Sequence, residues 1–484
     1  MKLLSRKSFG MKVRRIFIIY LSSAFILCLF LIAGGCKKVK SGMMIATEAQ
    51  LNYLIQENEP DPGRYITGAR IIAFNPEKPG SVRLLTGDFH SAAYPEISFD
   101  GRHILFTGQK KPGDIWHIWE MSLDNLKYRQ ITSFRENCTD PVYLPSGRVV
   151  FSKLTVNDTV GSAHCLYTCN LEGSDIRQIT FSPTDNYATH VLKDGRLLTV
   201  SRQLMPEKND AMLMVMRPDG TKADMFYMNK GKNIMTSDPR ETCDGRIIFL
   251  ESAGNNSTGG LPASVTYNRP LHSRINLSAD KEGYRSVLPV TSCRYLVSYR
   301  STGSDKFALY EFDPETGIPG RLVFSDPQYD ILDVVVAAAC ERPKKLPSEV
   351  DMQVKTGLLL CQDINFTGYK FRTDAAGPIK ASLIEVMGPD STYGIVPVEE
   401  DGSFQLKILA DQPFRIRTLD EKGQTLSGPC TWLWLRPNER RGCVGCHEDP
   451  EVVPVNKIPL AVKKPPVIIP VHLTEIKEKT VELE

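Results

Sequence analysis

Five segments of this chain share one turn-plus-strand grammar: SFDGRHILFTG, LPSGRVVFSK, LKDGRLLTVS, TCDGRIIFLE and the worn copy TSCRYLVSY. Their arginines, Arg102, Arg148, Arg196, Arg246 and Arg294, stand 46, 48, 50 and 48 residues apart. A unit of this length cannot bury its apolar face alone and must stack on its neighbours; the period is that of a propeller blade. In each unit Asp-Gly or Ser-Gly sets a tight hairpin turn, and a β-branched and aromatic run follows. Later strands close the unit in runs such as RQITSF, RQITFS and RLVFSD. Short strands at this spacing, with no helices between them, point to stacked antiparallel sheets.

The two ends of the array are incomplete in complementary ways. Residues 68–88, GARIIAFNPEKPGSVRLLTGD, hold outer strands without inner ones, and residues 328–339, QYDILDVVVAAA, hold an inner strand without outer ones. Joining them in one sheet would close the ring and remove its edges. The predicted fold class is therefore all-β: a six-bladed β-propeller over residues 68–343, with five or seven blades as alternatives. The units resemble TolB-type and WD-like propeller repeats. That resemblance bears on fold and not on function, because propellers bind, scaffold and catalyse alike.

The charged, proline-containing run CERPKKLPSE breaks the repeat, and residues 344–353 read as a linker. Beyond it the texture becomes alternating strands in GLLLCQDINF, KASLIEVM, SFQLKILA and PFRIRTLD, with EEDGSF and DEKGQ as hairpin turns. We read residues 354–450 as a small β-sandwich-like module ending in a CxxCH site, followed by a tail, residues 451–484.

The N-terminus sets the expected compartment. MKLLSRKSFGMKVRR carries six basic residues and no acid, and an apolar run then reaches small residues and Cys36. This is a charged n-region, an h-region and a small-residue cleavage site. AGGC resembles a bacterial lipobox, with Ala33 where leucine usually stands. The expectation is a signal peptide over residues 1–35, a lipid on Cys36 and an N-terminal linker over residues 36–67; an uncleaved anchor is the alternative. The implied location is the bacterial cell envelope, on the periplasmic face or in the outer membrane.

Removing that leader changes the charge argument. The chain has 59 Lys and Arg against 56 Asp and Glu, and without the six leader cations the balance is 53 against 56. Basicity thus belongs to the leader, and nothing in it calls for a nucleic-acid partner. Eight cysteines outside Cys28, Cys36, Cys443 and Cys446 show no readable disulfide framework.

RRGCVGCHED packs Cys443, Cys446 and His447 into five positions. In a c-type site two such thiols add across the porphyrin vinyl groups and the adjacent histidine reaches the iron as proximal ligand. Export agrees with this, because the attachment takes place outside the cytoplasm. Zinc would need a fourth ligand, and no second CxxC or HxxxH is present. A Cys443–Cys446 disulfide remains open, with His447 then incidental. Haem c is the favoured cofactor. No methionine follows His447, so His472 is a candidate distal ligand beside a purely structural reading, with Met387, Lys457 or an open position as further options.

The stretch from Val396 to Glu448 resembles the module recurring in hydrazine synthase alpha-subunit-related proteins. The match includes Pro397, Asp401, Gly402, Ser403, Pro413, Leu419, Asp420, Gly423, Trp434, Pro437, Glu439 and the whole of CVGCHE, with Asn438 where glycine is usual. The upstream propeller fits the same architecture. The resemblance implies a shared fold and one haem-type site. It does not carry over hydrazine synthesis, because the hydrazine-forming subunit is larger and multi-haem.

No nucleophile elbow, P-loop or dinucleotide fingerprint is present, so no catalytic constellation exists beyond the haem-type site. Three readings follow. The first is a lipid-anchored single-haem electron-transfer protein whose propeller docks a redox partner or a small-molecule substrate. The second is a non-catalytic scaffold lipoprotein stapled by a disulfide. The third is a haem enzyme with an open coordination position.

Overall fold

The computed structural model describes residues 38–50, 64–157, 161–206, 211–229, 234–252, 259–278, 283–292, 294–301, 306–367, 373–374, 377–446 and 452–470. Among them the chain is all-β, with one short 3-10 turn at Leu460–Lys463. No helix among these residues is long and apolar enough to cross a membrane. Cys36, the leader, His447 and His472 lie outside the described residues.

Six four-stranded antiparallel sheets occupy Met44 to Val336 among the described residues. The second sheet runs Ser91–Ile97, His103–Gln109, His117–Ser122, Tyr128–Gln130 from inside out. The third to sixth repeat the pattern, their inner strands being Cys138–Tyr143, Thr184–Val191, Ile234–Glu241 and Tyr284–Pro289. The first sheet joins both ends of the array: Asp330–Val336 pairs with Met44–Ala49, which pairs with Arg70–Asn75 and then Lys78–Leu84. Met44–Ala49 lies inside the stretch that the sequence suggested as linker. Its six residues, MIATEA, follow a Ser41–Gly42 turn but show no clear alternation and end before a polar run, so only the pairing reveals the strand.

Why the middle strands read as continuous apolar runs follows from this stacking. Each lies between two flanking sheets, so His103–Gln109 is buried at six of seven positions rather than alternating. One apolar cluster fills each gap between neighbours. Phe106 and Trp119 pack with Ile71 and Val335, Leu105 with Phe151, and Leu166 with Met214. The cycle continues with Val200 against Phe249, Ile248 against Val297, and Leu309 against Phe74. Burial of this kind stabilises by roughly 25 cal/mol per Å² of apolar surface.

The repeated turn does more than reverse the chain. Gly195 adopts φ +90°, and a Cβ there would collide with the Lys344 carbonyl. Residues 340–355 run across these turns: Cys340 N–H donates to Phe99 O at 3.0 Å, Lys344 N–H to Lys193 O at 3.0 Å, and Glu349 N–H to Asp219 Oδ2 at 2.8 Å. Gly195 therefore clears a track for the connection that leads to the C-terminal module, as Gly101 does for Ala338 and Ala339 just before it.

That module is built on two four-stranded sheets, with a two-stranded ribbon of Thr373–Asp374 and Gly377–Pro378 beside them in the chain. One has the order Arg440–Cys443, Thr356–Cys361, Phe404–Leu409, Val467–Ile469, and the other Thr392–Pro397, Leu383–Met387, Arg415–Leu419, Thr425–Ser427. Leu359, Leu406, Ile384, Val386, Phe414 and Ile416 fill the space between them.

Candidate functional site

Arg440–Cys443 is an edge strand, laid parallel to Thr356–Cys361 so that Cys443 faces Cys361 in register. The loop after Thr356–Cys361 then holds the cysteine pair by its backbone. Gln362 N–H donates to Cys443 O at 2.9 Å, Asp363 N–H to Val444 O at 3.1 Å, and Cys446 N–H to Phe366 O at 3.0 Å. Gly445 passes so close to Phe366 that any Cβ would run into its carbonyl oxygen. The glycine between the two cysteines is thus a steric requirement of this fold.

Both cysteine side chains are half-buried at the rim of the module's core. A planar porphyrin needs two thiols at one edge, an apolar surround and an axial ligand, and this donor set supplies the first two from described residues. The fit is therefore chemical: paired thiols on a pinned backbone beside an apolar core. His447 completes the motif in the sequence and lies outside the described residues. Among the described residues no three His, Cys, Asp or Glu side chains gather as a metal-holding group. Lys457, one option for a distal ligand, is engaged elsewhere, with Nζ donating to Asp401 O at 2.7 Å and Asp363 Oδ2 at 3.2 Å. Met387 ends a strand in the opposite sheet. A groove of about 250 Å³ beside Thr356, Lys407 and Arg440 lies towards the other end of the edge strand, and neither cysteine lines it.

The remaining motif residues divide between turns and docking. Asp401 caps its own turn, accepting from Ser403 N–H at 3.0 Å and Ser403 Oγ at 2.6 Å, while Gly402 takes φ +80°. Asn438 sits at φ +66°, the left-handed region that asparagine tolerates best after glycine, which explains how it replaces the usual residue. Glu439, 1% exposed, accepts from Arg441 at 2.8 Å, from Arg436 N–H at 2.8 Å and from Lys222 N–H of the propeller at 2.8 Å. Arg436 donates to Asp219 O at 3.0 Å, Trp432 Nε1–H to Met205 O at 2.7 Å, and Trp434 packs into the gap between the third and fourth sheets. These residues fasten the module to the propeller.

One polar cluster has no signal in the sequence. Arg64 reaches from the connection within the first sheet to the third and fourth sheets, where its guanidinium meets Asp185 Oδ2 at 2.6 Å and stacks 3.9 Å from the Tyr187 ring centre. His164 Nδ1 lies 2.8 Å from Asp185 Oδ1, and Tyr65 OH lies 2.7 Å from His164 Nε2. Burial favours the neutral acid of Asp185, but Arg64 and His164 outweigh it and hold the carboxyl well below its usual range. Arg64 stands 100 positions from His164 and 121 from Asp185. No local pattern could announce the cluster, which ties the chain across the ring.

Comparison with known proteins agrees with this architecture. Residues 373–448 match the family described as hydrazine synthase alpha subunit middle domain. The hydrazine synthase subunit alpha of Kuenenia stuttgartiensis is 24% identical over 508 residues, covering 78% of this chain and 62% of that protein. The chain thus spans less than two thirds of the curated relative it matches. Solved Kuenenia stuttgartiensis hydrazine synthase superposes with a TM-score of 0.76 at 21% identity, covering 88% of this chain and 72% of the other, so the fold is shared. TolB from Acinetobacter baumannii gives a TM-score of 0.44 at 12% identity, covering 61% of this chain and 67% of its own. Residues 373–448 match the hydrazine synthase alpha subunit middle domain, and the chain as a whole is similar to that subunit in sequence and shares its fold.

Proposed function

We propose that this is an exported, lipid-anchored redox protein. It holds one haem c through Cys443 and Cys446, with His447 on the iron, and its propeller docks a redox protein partner or a small-molecule substrate. The observation that carries this reading is the backbone clamp on the pair: Gln362, Asp363 and Phe366 fix Cys443, Val444 and Cys446 beside an apolar core. Such pinning sets the spacing of two thiols for two bonds to one rigid ring. When bound, haem supplies a one-electron couple. The chain's own contribution is to anchor one porphyrin edge, present an imidazole and exclude water on the core side. The name of the relative describes hydrazine synthesis by a longer subunit; this proposal does not extend that reaction to the present chain.

Electrochemical titration of the exported protein tests the function. The expected result is one reversible wave with a one-electron slope of about 59 mV per decade. Absence of any reversible couple in a correctly folded product would leave the scaffold reading. Mass spectrometry of the mature N-terminus tests the anchor, with an acylated Cys36 expected and an intact Met1 peptide contradicting it.

A further inference from the structure

Twelve residues after Cys443, at Val455, the chain returns to the loop that holds the cysteine pair. Val453, Val455 and Ile458 are 88%, 76% and 76% exposed, an unusual density of bare aliphatic side chains within six positions. Their backbone is nevertheless held. Gln362, whose N–H binds Cys443 O, also donates from Nε2 to Val455 O at 2.8 Å. Asp363, whose N–H binds Val444 O, pairs with Lys457 at 3.2 Å. Leu460 N–H donates to Asp401 Oδ2 and Ala461 N–H to Ser403 Oγ, both at 3.0 Å. Two consecutive residues thus clamp the cysteine pair on one side and the apolar run on the other.

We infer that Val453, Val455 and Ile458 form the apolar wall of the cofactor site, covered by one face of a tetrapyrrole attached at Cys443 and Cys446. This rests on the haem reading above and extends it to residues outside the CxxCH. The occupant follows from three features together: the wall is aliphatic, it is pre-fixed rather than loose, and the clamp that holds it is the clamp that holds the thiols. Covering these side chains removes from water the surface that a planar apolar ring also needs to bury.

Hydroxyl-radical footprinting of the full chain provides the test, comparing protein made with cytochrome maturation machinery with a Cys443→Ser/Cys446→Ser chain. Labelling at Val453, Val455 and Ile458 should fall about fivefold with haem attached, as expected when most of an exposed side chain is covered. Met352 and Ile395, 60% and 55% exposed, should label equally in both chains. Attached haem with unchanged labelling overturns the wall while the haem reading stands. Absence of attached haem overturns both. Low labelling in both chains identifies another occupant, such as a second copy, and overturns the wall. As a second measurement, Val453→Asn/Val455→Asn makes two wall side chains polar without altering the thiols, and bleaching is compared per haem attached. Peroxide bleaching should then quicken about fivefold as water gains the ring face; an unchanged rate contradicts the inference.

Discussion

The backbone amide of Lys222 donates to Glu439 Oε1 at 2.8 Å across 217 positions of sequence, joining a turn of the propeller's fourth sheet to the strand that leads into the cysteine pair. Glu439 also neutralises Arg441, whose side chain is 9% exposed. Removing one partner of a buried pair costs about 3–5 kcal/mol, because it strands the other charge. Glu439→Ala should therefore release the module: calorimetry should resolve two transitions, and proteolysis should cut within residues 344–353. One unchanged transition would show that Trp432 and Trp434 suffice for docking.

Closure of the ring makes a separate claim. Ala46 pairs with Val334, so the strand Met44–Ala49 covers the inner strand contributed by the far end of the array. A chain beginning at residue 51 should lose the whole cooperative transition rather than fray at one sheet, because no sheet is left to close the cycle. Melting followed by circular dichroism decides it. Retention of the full-length melting temperature would mean that the ring does not depend on this strand.

At the site itself, Gly445→Ala places a methyl group against the Phe366 carbonyl. Overpacking of this sort costs about 1–3 kcal/mol, and relieving it moves Cys446 away from its clamp. The variant should fold with lower thermal stability and carry less covalent haem than wild type, measured by in-gel haem staining. Full haem content at unchanged stability would show that the loop yields freely.

Cys138 is fully buried, and desolvation pushes its thiol up from 9.0 to about 12. The folded state keeps this proton at pH values where the unfolded chain releases it. Its contribution to stability is therefore complete below pH 9 and is lost as pH rises towards 12. Relative to Cys138→Ala, wild type should lose stability more steeply between pH 9 and 11, by at most about 1.4 kcal/mol per unit. Parallel urea-unfolding midpoints across that range would contradict the burial argument.

Much of the architecture was legible because the information is local and repeated. The Asp-Gly and Ser-Gly turns mark each hairpin, and the runs between them are apolar because sheets flank both faces. Closure through residues 68–88 and 328–339 was also readable, since each end lacked what the other held. The strand Met44–Ala49 was not, because a single six-residue run without clear alternation, set apart from the repeats, resembles a linker until a partner is seen. Distance in sequence hid the Arg64–Asp185–His164 cluster for the same reason. CxxCH was legible as a motif, and covalent haem there is the proposal made above, whereas the clamp from Gln362, Asp363 and Phe366 acts mainly through backbone atoms, which leave no signature in residue type.

Covalent haem at Cys443 and Cys446 is the centre of this account, and acid–acetone extraction measures it most directly. Protein coexpressed with cytochrome maturation machinery should stay red after extraction, while Cys446→Ser should lose most of its haem to the solvent. A colourless wild-type product, under conditions that fully load a control cytochrome, would contradict the account and leave the cysteine pair as a structural staple.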